Sequence, residues 1–216
     1  MKNIGIFVPG RVASQRCPLK LVYKMKPDDK TLWDIACEKL EILSEYYSVY
    51  TLTSDFELQD LNKKYSSITH IKRDHKTSIN DSPLSFVFKD VDKMDNEYLM
   101  FLNPCLPDLP VETITTCLNF FQKGNFDSAT SVKKFQNWVI NKEGQNLNKM
   151  DLKTLSTKTI DDTFVVANAF HIFNKNTFLE TGEMLHGKIQ YLEIQENESF
   201  DIDHLDELKF YEFKRI

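Results

Sequence analysis

The sequence predicts an α/β fold, a mostly parallel sheet with helices on both faces and ligands at the carboxyl ends of its strands. Two observations carry this expectation. Short apolar runs alternate with segments of helical spacing along the chain, and the first such run, residues 4–8, is cut off by Pro9-Gly10, as a buried strand entering a loop would be. A third observation bounds the size. A chain of 216 residues with 41% hydrophobic content can bury one sizeable core, and nothing in it demands a second, so residues 1–216 are read as one domain.

After the first strand comes a long loop, and then residues 31–43 place Leu32, Ile35, Ala36, Leu40 and Leu43 at helical spacing. Residues 47–53 alternate as a strand does, 58–65 suit a helix, and 68–72 a further strand. Residues 82–91 are expected to form a helix capped by Asp81 or Ser82. An apolar strand at 98–102 leads to a helix at 110–123, with Pro110 at its start and Gly124 just past its end, the usual asymmetry of helix termini. Strands are expected at 128–133 and 138–140. Residues 141–163 are polar, rich in Lys and Thr and weakly periodic, which marks an excursion from the core, either a lid or an arm gripping a second subunit. Strands at 165–173 and 188–194 and a helix at 203–215 complete the order.

Composition excludes several function classes. The N-terminal apolar stretch is too short, and too soon broken by Pro9, for a signal peptide or a membrane span, so a soluble cytoplasmic protein is expected. Cys17, Cys37, Cys105 and Cys117 stand far apart with no CxxC pair, which points to reduced thiols. A net charge of -5 repels a nucleic acid backbone. That charge is uneven. Residues 1–27 carry Lys2, Arg11, Arg16, Lys20, Lys24 and Lys26 with no acid, whereas residues 193–207 carry Glu193, Glu196, Glu198, Asp201, Asp203, Asp206 and Glu207 with no Lys or Arg. Two such stretches on one fold suit phosphates and a metal respectively; each is also an ordinary solvated face.

The loop Val8-Pro-Gly-Arg-Val-Ala-Ser-Gln-Arg-Cys-Pro-Leu-Lys20 is rich in the means of holding a triphosphate. Gly10 and Ala13 let the backbone come close, Arg11, Arg16 and Lys20 supply fixed positive charge, and Pro9 and Pro18 stiffen the loop. It is not a Walker P-loop, since G-x-x-x-x-G-K-[ST] is absent. The segment resembles the I-P-A-R-x-G-S-K-R-x-P-x-K-N signature of the CMP-sialic acid synthetase family, matching at Pro9, Arg11, Ser14, Arg16, Pro18 and Lys20. It departs from that signature at Gly10, Gln15 and Leu21. The sister family that activates 3-deoxy-manno-octulosonate also ends its loop in Lys without the Asn and shares the Ala13-Ser14 core.

Three further segments carry the resemblance. Phe101-Leu-Asn-Pro-Cys-Leu-Pro is similar to the family's L-Q-P-T-S-P, with Asn103 in place of a Gln that faces the sugar. Residues 165–173 resemble the R-P-N-G-A-I-Y-I strand, with Asn168 matching and Val166 replacing the Arg. Ser199-Phe-Asp-Ile-Asp-His-Leu-Asp-Glu-Leu208 resembles S-I-D-I-D-T-x-x-D-L. Asp201 and Asp203, two apart, place their carboxylates on one side of an extended segment, where they can share a divalent cation; Asp203 and Asp206 can alternatively serve the start of the last helix.

The resemblance implies a three-layer Rossmann-like nucleotidyltransferase fold with a small dimerisation arm, hence a homodimer. It further implies a cytidylyltransferase that transfers CMP from CTP to an acidic sugar with release of pyrophosphate. By position, Arg11, Arg16 and Lys20 become the catalytic cations, and Pro9, Gly10, Ser14 and Ser82 join Arg11 and Lys20 around the nucleotide. Asn103, Lys158 and Asn168 are placed on the sugar, and Asp201 and Asp203 on Mg²⁺. His171, in an apolar strand, is read as a core residue. The departures leave two alternatives open: CTP-dependent transfer to another acceptor, such as a different sugar acid or a phosphonate, and a non-catalytic nucleotide-binding relative. No Ser-His-Asp or Cys nucleophile motif is present.

Overall fold

The computed structural model describes residues 2–78, 82–149, 153–154, 156–160 and 163–216. Strands β1 (Ile4–Gly10), β2 (Ser48–Thr53), β3 (Thr69–Lys72), β4 (Tyr98–Leu102), β5 (Ser128–Lys134), β6 (Phe164–Asn174) and β7 (Ile189–Glu193) form one sheet in the order β3-β2-β1-β4-β6-β5-β7. β1 pairs in parallel with β2 and β4, β2 with β3, and β5 with β7, while β6 runs antiparallel to both β4 and β5. The parallel set aligns its carboxyl ends, so the segments after β1, β2, β3 and β4 emerge at one edge of the molecule.

Helices α1 (Leu32–Leu43), α2 (Phe56–Asn62), α4 (Val111–Lys123) and α6 (Leu205–Lys214) bury Trp33, Leu40, Leu58, Ile114, Phe121, Leu208 and Tyr211 against one face of the sheet, over Ile6, Val8, Met100 and Ile172. On the other face, α3 (Leu84–Val87) and α5 (Lys175–Thr181) pack near Phe7, Phe88, Phe173 and Phe178, whose rings meet edge-on or tilted at 5.0 to 6.3 Å. These two packed faces are the three layers the sequence predicts. Thr31 starts α1 with a capping box, its hydroxyl accepting from Asp34 N at 3.0 Å while Asp34 Oδ2 accepts from Thr31 N at 3.1 Å. All four cysteines are free and buried, and among the described residues no helix is long and apolar enough to cross a membrane.

Several local expectations are corrected. The helix expected at 82–91 is only the short α3 followed by a 3-10 turn, Lys89–Lys93; the helix breaks where Phe88 leaves helical geometry and packs edge-on against Phe7. Ser82 does not cap it, since Pro83 holds that position, and Asp81 lies outside the described residues. Residues 138–140 form no strand; Ile140 makes only an isolated bridge to Asn146. The unanticipated α5 starts at Asn174, whose Oδ1 accepts from Thr177 N at 3.1 Å, and ends at Gly182 with φ of 78°. With Phe178 as its one buried residue, it has no apolar stripe for a periodicity reading to find.

β5 and β6 part company in mid-strand. Between the pairs Thr130–His171 and Val132–Val166, Ser131 alone stands opposite residues 167–170, so β6 bulges outward and Asn168 takes a φ of 51°. The fully buried Ser131 hydroxyl accepts from Ala169 N at 2.9 Å and Phe170 N at 3.2 Å, replacing the ladder bonds the bulge forfeits.

At the end of β1, Gly10 is required by packing. A Cβ there would lie 2.4 Å from Trp33 Cζ3 and 2.7 Å from Leu58 Cδ1. Gly10→Ala is therefore expected to cost about 1–3 kcal/mol through overpacking, lowering the thermal midpoint by several degrees in a calorimetric scan.

Candidate active site

Residues 11–31 run from β1 to α1 without regular secondary structure, and side chains from elsewhere give this loop its shape. Asp55, at the start of α2, accepts from Val12 N at 2.6 Å. Val12 O accepts from Ser14 N and Leu19 N, both at 3.0 Å, with Leu19 at φ of 62°, and the Ser14 hydroxyl accepts from Cys17 N at 3.3 Å. At the loop's far end, Glu212 of α6 accepts from Tyr23 Oη at 3.1 Å and Lys26 N at 2.7 Å, and Arg215 makes two 2.8 Å bonds to Asp28.

Lys20 joins this loop to the acidic segment. Its side chain is buried, and its ammonium donates to Ile202 O at 2.6 Å and to Asp203 Oδ1 at 3.1 Å. Arg16 reaches the same Asp203 oxygen at 2.9 Å, although its own side chain is 58% exposed. Burial opposes the charge on Lys20, but its contacts with Cys105 and Asp203 outweigh that and raise its pKa. Glu207 Oε2 accepts from Asp203 N and His204 N, each at 2.7 Å, holding the turn that leads into α6.

Asp201 is the perturbed carboxyl. Its pKa is pushed up to about 6, first by burial and then by the charge of Asp203. Asp201 Oδ2 accepts from Asn103 Nδ2 at 3.3 Å, while Asp201 Oδ1 is buried with no hydrogen-bond partner. A buried carboxylate oxygen without a donor is costly unless a cation or proton meets it.

These groups face a common cleft of about 430 Å³, lined by Pro9, Arg11, Ser14, Arg16, Lys20, Asn103, Asp201 and Asp203 among others. An adjoining lobe of about 290 Å³ shares Pro9 and Arg11 and adds Gly10, Arg73, Ser82, Leu84, Val87 and Phe88. Arg11 Nη1 donates to Ser78 O at 3.2 Å, between the two spaces. The structure thus gathers Pro9, Gly10, Arg11, Ser14, Arg16, Lys20, Ser82, Asp201 and Asp203 around two joined spaces.

The acceptor-side positions fare differently. Lys158 is exposed in the 3-10 turn Thr157–Thr159 and does not line the cleft. Asn168 sits in the β6 bulge with its carbonyl accepting from Asn103 Nδ2 at 3.1 Å, and it too stands off the cleft lining. His171 stacks on Phe101 at 5.7 Å and pairs through Nδ1 with Thr130 Oγ1 at 2.9 Å; burial lowers its pKa.

Sequence reading missed Arg73. It follows β3 directly, is 4% exposed, donates from Nη2 to Thr77 O at 2.7 Å, and leaves Nε–H buried without a partner at the wall of the smaller lobe. Its place just past a parallel strand's carboxyl end was the available signal.

The acidic pair fits a divalent cation. Among the described residues no cluster of three metal-ligating side chains occurs, so the protein offers two carboxylates, the number with which Mg²⁺ is commonly held when substrate phosphates and water complete its shell. The unpartnered Asp201 oxygen is the donor such an ion needs.

The fold is that of the cytidylyltransferases, an α/β nucleotidyltransferase architecture. The chain superposes on a CMP:2-keto-3-deoxy-manno-octonic acid synthetase complexed with CTP at a TM-score of 0.71 with 12% identity, over 99% of this chain and 98% of that one. A 4-diphosphocytidyl-2C-methyl-D-erythritol synthase from Anaerococcus prevotii gives 0.69 with 10% identity over 99% and 98%. A cytidylyltransferase from Leptospira borgpetersenii gives 0.58 with 12% identity over 98% and 86%. The sequence matches no known family model and no curated protein.

A folded-state pKa of about 6 for Asp201, against roughly 3.9 for an unfolded Asp, means that the folded chain binds more protons between those values. Ionisation of Asp201 therefore removes stability as pH rises from about 4 to about 6. Asp201→Asn is expected to be more stable than the unaltered chain by about 1–3 kcal/mol at pH 7, with the gap closing below about pH 4, in urea unfolding with a chelator present.

Proposed function

We propose that this protein is a cytidylyltransferase that transfers CMP from CTP to a hydroxyl of an acidic sugar, with Mg²⁺ and release of pyrophosphate. The observation that carries the proposal is the convergence in one cleft of Arg11, Arg16 and Lys20 with Asp201 and Asp203, Asp201 keeping one buried oxygen free. The fold, shared with cytidylyltransferases and with a synthetase complexed with CTP, supports it.

In this reading the triphosphate lies along the basic loop. The smaller lobe takes the nucleobase, with Leu84, Val87 and Phe88 to pack against it and the free Nε–H of Arg73 to donate to a base carbonyl. The acceptor hydroxyl oxygen bonds to the α-phosphorus as the bond to the bridging oxygen breaks; that electron pair departs with pyrophosphate, and the hydroxyl proton passes to solvent. Arg11, Arg16 and Lys20 stabilise the charge growing on the leaving group. Arg16, exposed and bonded only at its tip to Asp203, can turn to phosphate oxygens, whereas buried Lys20 stays fixed and orients Asp203. Mg²⁺ held by Asp201 and Asp203 would neutralise and orient the phosphates. The chemistry needs no covalent enzyme intermediate.

Transfer from CTP to a different acceptor, such as another sugar acid or a phosphonate, is favoured by one observation. Among the described residues, the position where the resemblance expects an arginine holds Val166, an exposed apolar side chain on β6, and Lys158 does not line the cleft.

Pyrophosphate release should be measured with Mg²⁺ and CTP, UTP, ATP or GTP against a panel of sialic-type acids, octulosonate and simple phosphonates. CTP with one acid is the expected active pair, and the acid names the acceptor. For that pair Asp203→Ala should lower kcat on the order of 10²-fold, and full turnover by this variant would remove the metal assignment. Absence of both CTP binding and turnover would overturn the proposal.

A further inference from the structure

Asn103 stands at the exit of β4 with every polar group of its side chain engaged. Its Nδ2 donates to Asn168 O at 3.1 Å and to Asp201 Oδ2 at 3.3 Å, while Oδ1 accepts from Cys105 N at 3.0 Å. Its backbone N donates to Ala169 O at 2.9 Å, continuing the β4–β6 pairing into the bulge. A primary amide has two N–H donors, so this one has none left for a hydroxyl of a bound molecule unless an internal bond breaks.

The same short loop grips the acidic segment a second time, with Ile202 N donating to Cys105 O at 2.9 Å. Asp201 is thereby held at its Oδ2 by Asn103 and at the following backbone N–H by Cys105, and its remaining oxygen, Oδ1, is the buried atom without a partner. Asn103 also ties the carbonyl of Asn168, the left-handed residue of the bulge, to this carboxylate.

Resting on the cytidylyltransferase reading above, we propose that Asn103 is a positioning residue for the cation site: it fixes Asp201 Oδ2 so that Oδ1 faces the ion, and it links the β6 bulge to that carboxylate. This replaces the role in direct acceptor contact that the sequence resemblance implies for Asn103. The bond to Asp201 is charge-assisted, and loss of such outer partners of metal-ligating carboxylates typically weakens metal affinity by roughly 10- to 100-fold. The bond is long at 3.3 Å, so the lower end of that range, about tenfold, is expected.

The test is Mn²⁺ binding to the full chain in the presence of CTP, read by electron paramagnetic resonance of the free ion. It is made for the unaltered protein, Asn103→Ala, Asn103→Gln, Asp201→Asn and the double variant Asn103→Ala/Asp201→Asn, with circular dichroism as the check of folding. The unaltered chain is expected to bind Mn²⁺ with CTP. Asn103→Ala should bind it about tenfold more weakly and, with Mn²⁺ saturating, keep an acceptor KM within about twofold of the unaltered value. Asp201→Asn should weaken Mn²⁺ binding strongly, and the double variant should be no weaker than Asp201→Asn alone, because Asn103 acts through Asp201. If Asn103→Ala does not fold, Asn103→Gln carries the same comparison, since its longer amide cannot keep both donors in register. Unchanged Mn²⁺ affinity together with a raised acceptor KM would overturn the inference and return Asn103 to acceptor contact, leaving the transferase reading intact. If the unaltered chain binds no Mn²⁺ with CTP, the transferase reading falls, and this inference with it.

Discussion

The buried ammonium of Lys20, closed over by Ile202 O and Asp203 Oδ1, joins two segments 182 and 183 residues apart in sequence. A charge this deeply buried persists only if paired and hydrogen-bonded, and Lys20 is both. Its effect is geometric. The basic loop has no helix or strand of its own to fix it, and the acidic segment is extended, so each borrows its position from the other through this contact. Removing the ammonium would leave Asp203 with only the exposed Arg16 and a backbone carbonyl unsatisfied.

Around that fixed point the site divides into a rigid part and an adjustable one. Lys20, Asp201, Asn103 and Arg73 are buried or engaged on several sides, and the backbone of the basic loop is held by Asp55 and Glu212. Arg16 is mostly exposed, and its contact with Asp203 is an ion pair of the kind that water screens. On the proposed transferase reading, this contrast suits phosphate chemistry. Fixed charges cost no reorganisation as the transition state forms, and a mobile guanidinium can follow a leaving group. The like-charged neighbours Asp201 and Asp203 are tolerated because two cations lie against one of them and burial suppresses ionisation of the other.

The antiparallel β6 contributes no residue to the cleft lining; Asn103, which does line it, donates to Asn168 O of the β6 bulge. A fully parallel sheet would have brought another strand's carboxyl end to this edge; reversing β6 brings a mid-strand bulge instead, held by the Ser131 hydroxyl and by Asn103. Hydrogen bonds from neighbouring strands leave the bulge little freedom. Val166 and His171 stand to either side of the bulge in β6, and the Asn168 and Ala169 carbonyls within it both accept from Asn103.

Local patterns determined much of this protein. Apolar runs and helical spacing located β1, α1, β4 and α4 to within a residue or two, because the strands are buried on both faces and the helices on one continuous stripe. The basic loop and the Asp201–Asp203 pair stand out in the sequence through their motif matches, since charge alone also reads as a solvated face, and the structure brings them to one cleft. What sequence alone did not carry lies in contacts between distant segments. Arg73 looks ordinary in a linear reading and Asn103 is singled out there only for acceptor contact, whereas the fold brings an unpartnered guanidinium Nε–H to the lobe wall and turns the Asn103 amide toward Asp201. Lys158 shows the reverse, a charge placed at the site by alignment but carried onto the surface by the path of the chain. The physical reason is the same in each case: charge and periodicity are properties of neighbours along the chain, whereas the partner of a hydrogen bond and the direction of a carboxylate oxygen are set by segments that meet only when the sheet assembles.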